Sequence, residues 1–108
     1  MPEGHVYILG SDTGSLYTGV TSKFDQRLWE HRNGIKSTFA TKYGCERVLL
    51  HEEFTDIRSA IAREKEIKGW TRAKKLALIT QTNPGFKDLS NQHHWQMLHP
   101  QQAIADQK

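Results

Sequence analysis

Residues 5–21 read HVYILGSDTGSLYTGVT, and this stretch decides the fold of the 108-residue chain. Its two ends, 5–9 and 16–21, are rich in β-branched and aromatic residues, which favour strands. The GSDTGS between them consists of residues that favour turns, so the pattern predicts an antiparallel β-hairpin. Successive side chains of a strand alternate between its two faces. We therefore expect Tyr7 and Tyr17 to project from adjacent strands.

A helix is predicted directly after the hairpin. Thr21-Ser22 offers an N-cap for the helix over 23–33, and Asp25, three residues after Ser22, has the spacing of a capping box from Ser22. Gly34 is a natural end for it, because glycine readily adopts the left-handed conformation that closes many helices. Residues 34–46, which are rich in small hydroxyl side chains and lysine, predict a loop.

The second half of the domain reads as one strand and two helices. RVLLHEEF at 47–54 predicts a third strand. Asp56 and Thr71 are N-cap residues for helices over about 57–68 and 72–82. The order β-β-α-β-α-α predicts the α+β class, with a small, mainly antiparallel three-stranded sheet flanked by helices.

Length and composition indicate one small globular domain, which we place at residues 1–90. Residues 91–108 are rich in Gln and His without apolar periodicity, and we interpret them as a mobile or loosely docked tail. The chain is 36% apolar with a net charge of +3, and no apolar run approaches a membrane span. Its single cysteine, Cys45, cannot form an internal disulfide. With no recognisable signal peptide, a cytoplasmic location is expected.

Glu64 is the most unusual residue of the second helix. It falls in the middle of an apolar stripe whose other members are Ile57, Ala60, Ile61 and Ile67. A buried carboxylate without a partner costs several kcal/mol, so it must be paired, protonated or bound to a cation. Glu64 is therefore either a metal ligand at the floor of a cleft or the partner of a cation such as Arg27.

The other candidate site residues also have purely structural explanations. Arg27 and His31 are four residues apart, beside the apolar stripe of the first helix, but the same spacing occurs on exposed helix faces. Tyr7 and Tyr17 could equally be packed phenols of a hairpin. A tyrosine acts as a base only if its proton is readily lost.

The segment around Glu64 is basic. Residues 56–75 carry seven basic and three acidic side chains, so their balance of +4 exceeds that of the whole chain. This pattern is typical of a solvated helix face or of a surface that contacts phosphates. The candidates for nucleic-acid binding are Lys68, Arg72, Lys74 and Lys75.

Taken in order, these residues resemble the GIY-YIG nuclease family. His5-Val6-Tyr7 occupies the place of the first triplet and Tyr17-Thr18-Gly19 that of the second. The match continues through Arg27, His31 and Ala60-x-x-x-Glu64 into KGWTRAKKLALI and NPGFKDL, across about residues 4–90. It is closest to small, stand-alone bacterial members. His5 departs from the family's usual Gly, and Asn83, nineteen residues after Glu64, is the candidate for the family's late asparagine.

The resemblance implies a site and a cofactor. Glu64 would bind one Mg²⁺ or Mn²⁺, and Tyr17 would be the general base for the attacking water, with Tyr7 in its hydrogen-bond network. Arg27 would hold the scissile phosphate, and His31 would orient or assist the nucleophile. With a single protein carboxylate, the metal would keep several waters, which suits Mg²⁺ better than Zn²⁺.

The resulting hypothesis is a metal-dependent endonuclease that hydrolyses DNA with low sequence specificity, in DNA repair or another DNA-processing pathway. Single-stranded, duplex and branched DNA remain open as substrates. Two alternatives stay open as well. One is a nucleic-acid-binding module with weak or no catalysis that acts with a protein partner, and the other is an RNA-directed member of the family.

Overall fold

The structure is a computed structural model that describes residues 2–34 and 42–90. Over these residues it confirms the α+β class and the order β-β-α-β-α-α. The predicted tail, 91–108, and most of the predicted loop at 34–46 lie outside the described residues. Within the described part of the chain, no helix is long and apolar enough to cross a membrane. The elements are β1 (Gly4–Gly10), β2 (Leu16–Thr21), α1 (Phe24–Asn33), β3 (Arg47–Phe54), α2 (Ile57–Lys68) and α3 (Arg72–Thr82).

The sheet has the strand order β2-β1-β3 and is antiparallel at both pairings. The predicted hairpin is therefore confirmed, and β3 adds to the other side of β1. In this register Tyr7 lies opposite Gly19 on β2 and opposite His51 on β3. Leu9 lies opposite Tyr17. Tyr7, Tyr17 and His51 therefore share one face of the sheet.

Each face of the sheet is covered by helices. On the face that carries Val6 and Ile8, which we call the α2 face, the core is completed by side chains of α2 and α3, including Ala60, Ile67 and Ile79. On the opposite face, the α1 face, Tyr7, Leu9 and Val48 pack with Phe24 and Leu28 of α1. The buried residues of these two clusters are almost fully excluded from solvent. Burial on both faces makes β1 the most enclosed strand.

Most predicted helix ends are confirmed, with one error. Asp56 accepts a hydrogen bond from the Ser59 N–H at 2.8 Å, and Thr71 caps α3 in the same way through Lys74. Gly34 ends α1 in the left-handed conformation, at φ 64°. The predicted capping box from Ser22 is wrong.

The start of α1 differs because the chain stays extended for one more residue. Lys23 is the N-cap, at φ −133° and ψ 82°, and no side chain caps this helix end. The hydroxyl of Thr21 accepts the Lys23 N–H at 3.0 Å. Ser22 therefore stands one residue before the cap, and the helix begins at Phe24. Local hydroxyl-to-backbone bonds compete with capping in this way.

Candidate functional site

Tyr7 and His31 form the buried centre of the site on the α1 face. The Tyr7 hydroxyl lies 3.0 Å from His31 Nε2, and both residues are at most 3% exposed. Burial, together with the nearby charge of Arg27, lowers the pKa of His31 to about 4. Burial also raises the pKa of Tyr7 above its ordinary value. At neutral pH the pair is therefore an uncharged imidazole hydrogen-bonded to an uncharged phenol.

Tyr17 completes a cluster of three rings. Its ring centroid lies 5.1 Å from that of His31 and 6.3 Å from that of Tyr7. Unlike Tyr7, Tyr17 is only partly buried. The two phenols do project from adjacent strands, as the hairpin pattern predicted, and Tyr17 is the one more open to a substrate.

The absence of a side chain at Gly19 makes room for the Tyr7 phenol. A Cβ atom at Gly19 would lie 2.5 Å from Tyr7 Cζ and closer still to the hydroxyl, which real side chains do not allow. Because β2 is an edge strand, the absence of a side chain at Gly19 lets the phenol pass from β1 toward the open edge of the sheet. Gly19 was predicted as a site residue, and the geometry supplies a steric reason for it.

Arg27 brings a positive charge to the two phenols. Its Nη1 donates to Glu30 Oε1 at 3.1 Å, and both side chains are largely buried. Partial burial by itself would lower the pKa of Arg27, but the hydrogen bond to Glu30 and the interactions with Tyr7 and Tyr17 raise it overall. Arg27 and Glu30 also line an open, polar cavity of about 270 Å³ next to the start of α1. The guanidinium is thus oriented beside a space that a phosphate can enter.

Glu64 is buried on α2, as its position on the apolar stripe predicted. The residue is 7% exposed, and its Oε2 accepts a hydrogen bond from Lys68 Nζ at 2.6 Å. The cation that pairs with it is therefore Lys68 rather than Arg27, which was the alternative raised by the sequence. Burial is the main cause of the raised pKa of Tyr7, and the negative charge of Glu64 also raises it. The carboxylate therefore lies within electrostatic range of the phenol.

Asn83 occupies a different environment. It is buried, and its side-chain amide donates to the carbonyl oxygens of Leu49 and Lys87 at 3.2 and 2.8 Å. Its oxygen accepts the Lys87 N–H at 3.1 Å. These hydrogen bonds tie the chain after α3 to β3 on the α2 face. They give Asn83 a clear structural role, and none of them leads to the tyrosines or to Glu64.

The four residues of the predicted basic cluster lie in four different environments. Lys68 contacts Glu64, and the Lys74 ammonium lies 4.3 Å from the centre of the Trp70 ring. Arg72 lines a separate pocket of about 180 Å³ between the hairpin turn and α3, together with Arg47. Lys75 is partly buried on α3. Of these four residues, only Lys68 forms a described ion pair with a candidate catalytic residue, Glu64.

Two neighbours of the site were not predicted from the sequence. His51 Nε2 lies 2.8 Å from His5 Nδ1, and the two rings are stacked at 5.1 Å, with Phe24 against His51 at 4.5 Å. His5, which departs from the family's usual Gly, thus stacks on the His51 ring. The second neighbour that the sequence did not predict is Glu30, which pairs with Arg27. Its spacing of three residues from Arg27 was the available signal, whereas the pairing of His51 required the sheet order.

Glu64 is the described carboxylate that could bind a divalent cation at this site. Within residues 2–34 and 42–90, no group of three or more His, Cys, Asp or Glu side chains is arranged to hold a metal. The Glu64 carboxylate, however, is buried, lies within electrostatic range of Tyr7 and already holds a cation, the Lys68 ammonium, on Oε2. A single hard carboxylate that leaves the remaining positions to water and phosphate matches the preference of Mg²⁺ and Mn²⁺.

Comparison with known proteins identifies the family. The family model of the GIY-YIG catalytic domain matches residues 3–77. The chain belongs to the GIY-YIG family. GIY-YIG domains form a nuclease superfamily whose members act on DNA and are generally metal-dependent. The predicted resemblance is therefore confirmed at the level of the family.

The relatives of this GIY-YIG protein are small. A UPF0213 protein of Staphylococcus saprophyticus is 38% identical over 82 residues, which cover 75% of this chain and 99% of the relative. A UPF0213 protein of Syntrophus aciditrophicus is 41% identical over 85 residues, covering 78% and 97%. The solution NMR structure of a UPF0213 protein from Bacillus halodurans matches with a TM-score of 0.53 at 29% identity, over 81% of this chain and 93% of that one. This last match supports the same α+β fold.

Proposed function

We propose that this protein is a metal-dependent endonuclease that hydrolyses DNA phosphodiester bonds with low sequence specificity, in DNA repair or another DNA-processing pathway. The observation that carries the proposal is the grouping, on the α1 face of the sheet, of a neutral Tyr7–His31 pair, the more open Tyr17 and the Arg27 guanidinium. The buried Glu64 carboxylate lies within range of their charges. A packed structural core would have no need for so many polar groups in one place.

In the proposed mechanism Arg27 binds the scissile phosphate, and its planar guanidinium stabilises the charge that grows on the phosphate oxygens. Glu64 would hold one Mg²⁺ or Mn²⁺, which when bound supplies further neutralisation of the phosphate and of the leaving oxygen. The Arg27 side chain also hydrogen-bonds to Tyr17, which positions this phenol beside the bound phosphate. Tyr17 gives its phenolic proton to solvent and then accepts a proton from the water as the water oxygen bonds to phosphorus. The bond to the leaving oxygen breaks, and that oxygen takes a proton from solvent.

Tyr7 and His31 have the supporting role in this scheme. The raised pKa of Tyr7 keeps it protonated, so it acts as a hydrogen-bonding group rather than as a base. The lowered pKa of His31 keeps the imidazole neutral and avoids a second positive charge beside Arg27. Together they orient the attacking water next to Tyr17.

A cytoplasmic location belongs to the same proposal. Cys45 is fully buried, and burial raises the pKa of its thiol, so the thiol is protected from oxidation and poorly suited to nucleophilic chemistry. An unpaired cysteine of this kind is compatible with a reducing compartment.

A second candidate is a nucleic-acid-binding module with little catalysis that acts with a protein partner. The observation in its favour is the ion pair between Glu64 and Lys68, which already neutralises the carboxylate without a metal. The two candidates differ in whether Glu64 is needed for cleavage.

The test uses the full chain with Mg²⁺ or Mn²⁺ against single-stranded, duplex and branched DNA, and against RNA of the same sequences. Glu64→Gln keeps the shape of the side chain and should lower the cleavage rate at least ~10²-fold. The matched control, Glu53→Gln, removes an exposed carboxylate of β3 and should leave the rate unchanged. Cleavage that survives both Glu64→Gln and chelation of metal would refute the proposal, and tight binding without cleavage would support the binding module.

A further inference from the structure

The ion pair on Glu64 is asymmetric. The Glu64 side chain is 10% exposed, whereas that of Lys68, one helical turn later, is 52% exposed. The carboxylate is held by the packing of α2 against the sheet, with Ala60 and Ile67 fully buried on either side. Lys68 instead reaches in from solvent on a flexible stem. Its ammonium can leave without exposing apolar core, while the carboxylate cannot leave.

The neighbouring arginines are engaged elsewhere. Arg63 donates to Glu52 at 2.9 and 3.1 Å and to Glu66 at 2.6 Å, and it lies over the Trp70 ring. Arg27 donates to Glu30. Lys68 is therefore the cation that the described ion pairs place on Glu64. The same lone pairs of Oε2 would serve a bound metal ion.

We propose that Lys68 is an internal competitor for the divalent cation at Glu64, and that binding of the metal releases its ammonium toward a phosphate of the DNA backbone. The proposal rests on the assignment of Glu64 as metal ligand in the proposed function. An ammonium and a divalent cation that share one carboxylate oxygen repel each other, so occupancy by one weakens the other. Release places a mobile positive charge one turn from the metal, where a phosphate bound to that metal would attract it.

This arrangement couples metal binding to DNA binding. A DNA phosphate that attracts Lys68 removes the competitor from Glu64 and so favours the metal. By linkage, the metal must favour DNA by the same factor. Without DNA, Lys68 keeps Glu64 neutralised and lowers the affinity for metal. The structure thus assigns Lys68 a role beyond general attraction for phosphates.

The first test measures binding of Mn²⁺ alone to the full chain, without DNA, from the electron paramagnetic resonance signal of free Mn²⁺. Lys68→Gln should tighten Mn²⁺ binding roughly 3- to 10-fold, the change expected from removing a partly exposed ion pair and its repulsion. The matched control is Lys65→Gln, an exposed lysine of the same helix, which should change the affinity much less. Unchanged or weaker binding in Lys68→Gln would overturn the proposal.

Glu64→Gln separates this proposal from the function on which it rests. If Glu64→Gln leaves Mn²⁺ binding intact, the metal is not held at Glu64, and the metal assignment of the proposed function fails. If Glu64→Gln abolishes Mn²⁺ binding but Lys68→Gln has no effect, the assignment stands and the competitor role fails.

The second test follows the released ammonium. DNA binding is measured across a salt series with and without Mn²⁺, in a Tyr17→Phe background that slows cleavage. Metal should increase the magnitude of the salt slope by about one phosphate contact in the presence of Lys68. The increase should be absent when Lys68→Gln is added. An equal increase in both proteins would show that Lys68 does not move to the DNA.

Discussion

The low pKa of His31 should make the stability of the protein depend on pH in the acid range. The folded state lowers this pKa from 6.5 to about 4, because the ring is buried and lies near Arg27. As pH falls below 6.5, the unfolded chain binds a proton at His31 that the folded protein binds only near pH 4. This contribution to stability is complete at pH 7 and is lost between the two values. At about 1.4 kcal/mol for each pH unit, the loss amounts to about 3 kcal/mol.

Urea unfolding at pH 7 and pH 4, followed by tryptophan fluorescence, measures this loss. A comparison with His31→Gln isolates it, because the other titrating groups are common to both proteins. The wild type should lose about 3 kcal/mol more than the variant between the two pH values. Domains of this size are stable by about 5–15 kcal/mol, so the difference is readily measured.

Nuclear magnetic resonance supplies a direct check that does not depend on the stability of the variant. The imidazole resonance of His31 should titrate near pH 4 in the folded wild type. The contact between its Nε2 and the Tyr7 hydroxyl at 3.0 Å is what the titration would break. A His31 midpoint near 6.5, or equal losses of stability in both proteins, would refute the buried, neutral imidazole.

Three further predictions concern the phenol, the phosphate contact and the basic surface. Gly19→Ala should displace the Tyr7 ring and destabilise the fold by about 1–3 kcal/mol in urea unfolding, whereas Gly85→Ala, which has more space, should cost less. Arg27→Ala should slow single-turnover cleavage by at least ~10²-fold. Arg27→Lys should recover little, because the guanidinium fork is lost, and full rescue would show that any positive charge suffices. Lys74→Ala with Lys75→Ala should reduce the salt slope of DNA binding by about one for each lost phosphate contact, equally on two unrelated sequences. An unchanged slope would place the DNA elsewhere.

Local sequence signals predicted the elements well. The turn residues between the first two strands, and the Asp56 and Thr71 caps, act through hydrogen bonds that span only a few residues, and the structure confirms them. The same local reasoning failed at Ser22, because the hydroxyl of Thr21 takes the Lys23 N–H instead. When two adjacent hydroxyl residues can both bond to the backbone, sequence spacing alone does not decide between them.

Periodicity predicted that Glu64 is buried, but not which cation pairs with it. Burial follows from the helical repeat of apolar residues, which the sequence contains. The partner depends on where other long side chains already bind. Arg27 is engaged by Glu30 and Arg63 by Glu52, and this leaves Lys68 to reach Glu64.

The sequence by itself determined the strands, the hairpin, the alternation of side chains along each strand, and the order of the family's motif residues. The register between the first two strands, which puts Tyr7 and Tyr17 on one face, comes from the tertiary structure. Only the tertiary structure decided that β3 joins β1 rather than β2, which sets His51 beside His5. It also brought His31 against Tyr7 across 24 positions of the chain. The altered pKa values of that pair follow from burial, which is a property of the packed core. Contacts of this kind depend on sheet order and helix docking, and no local pattern of residues encodes either.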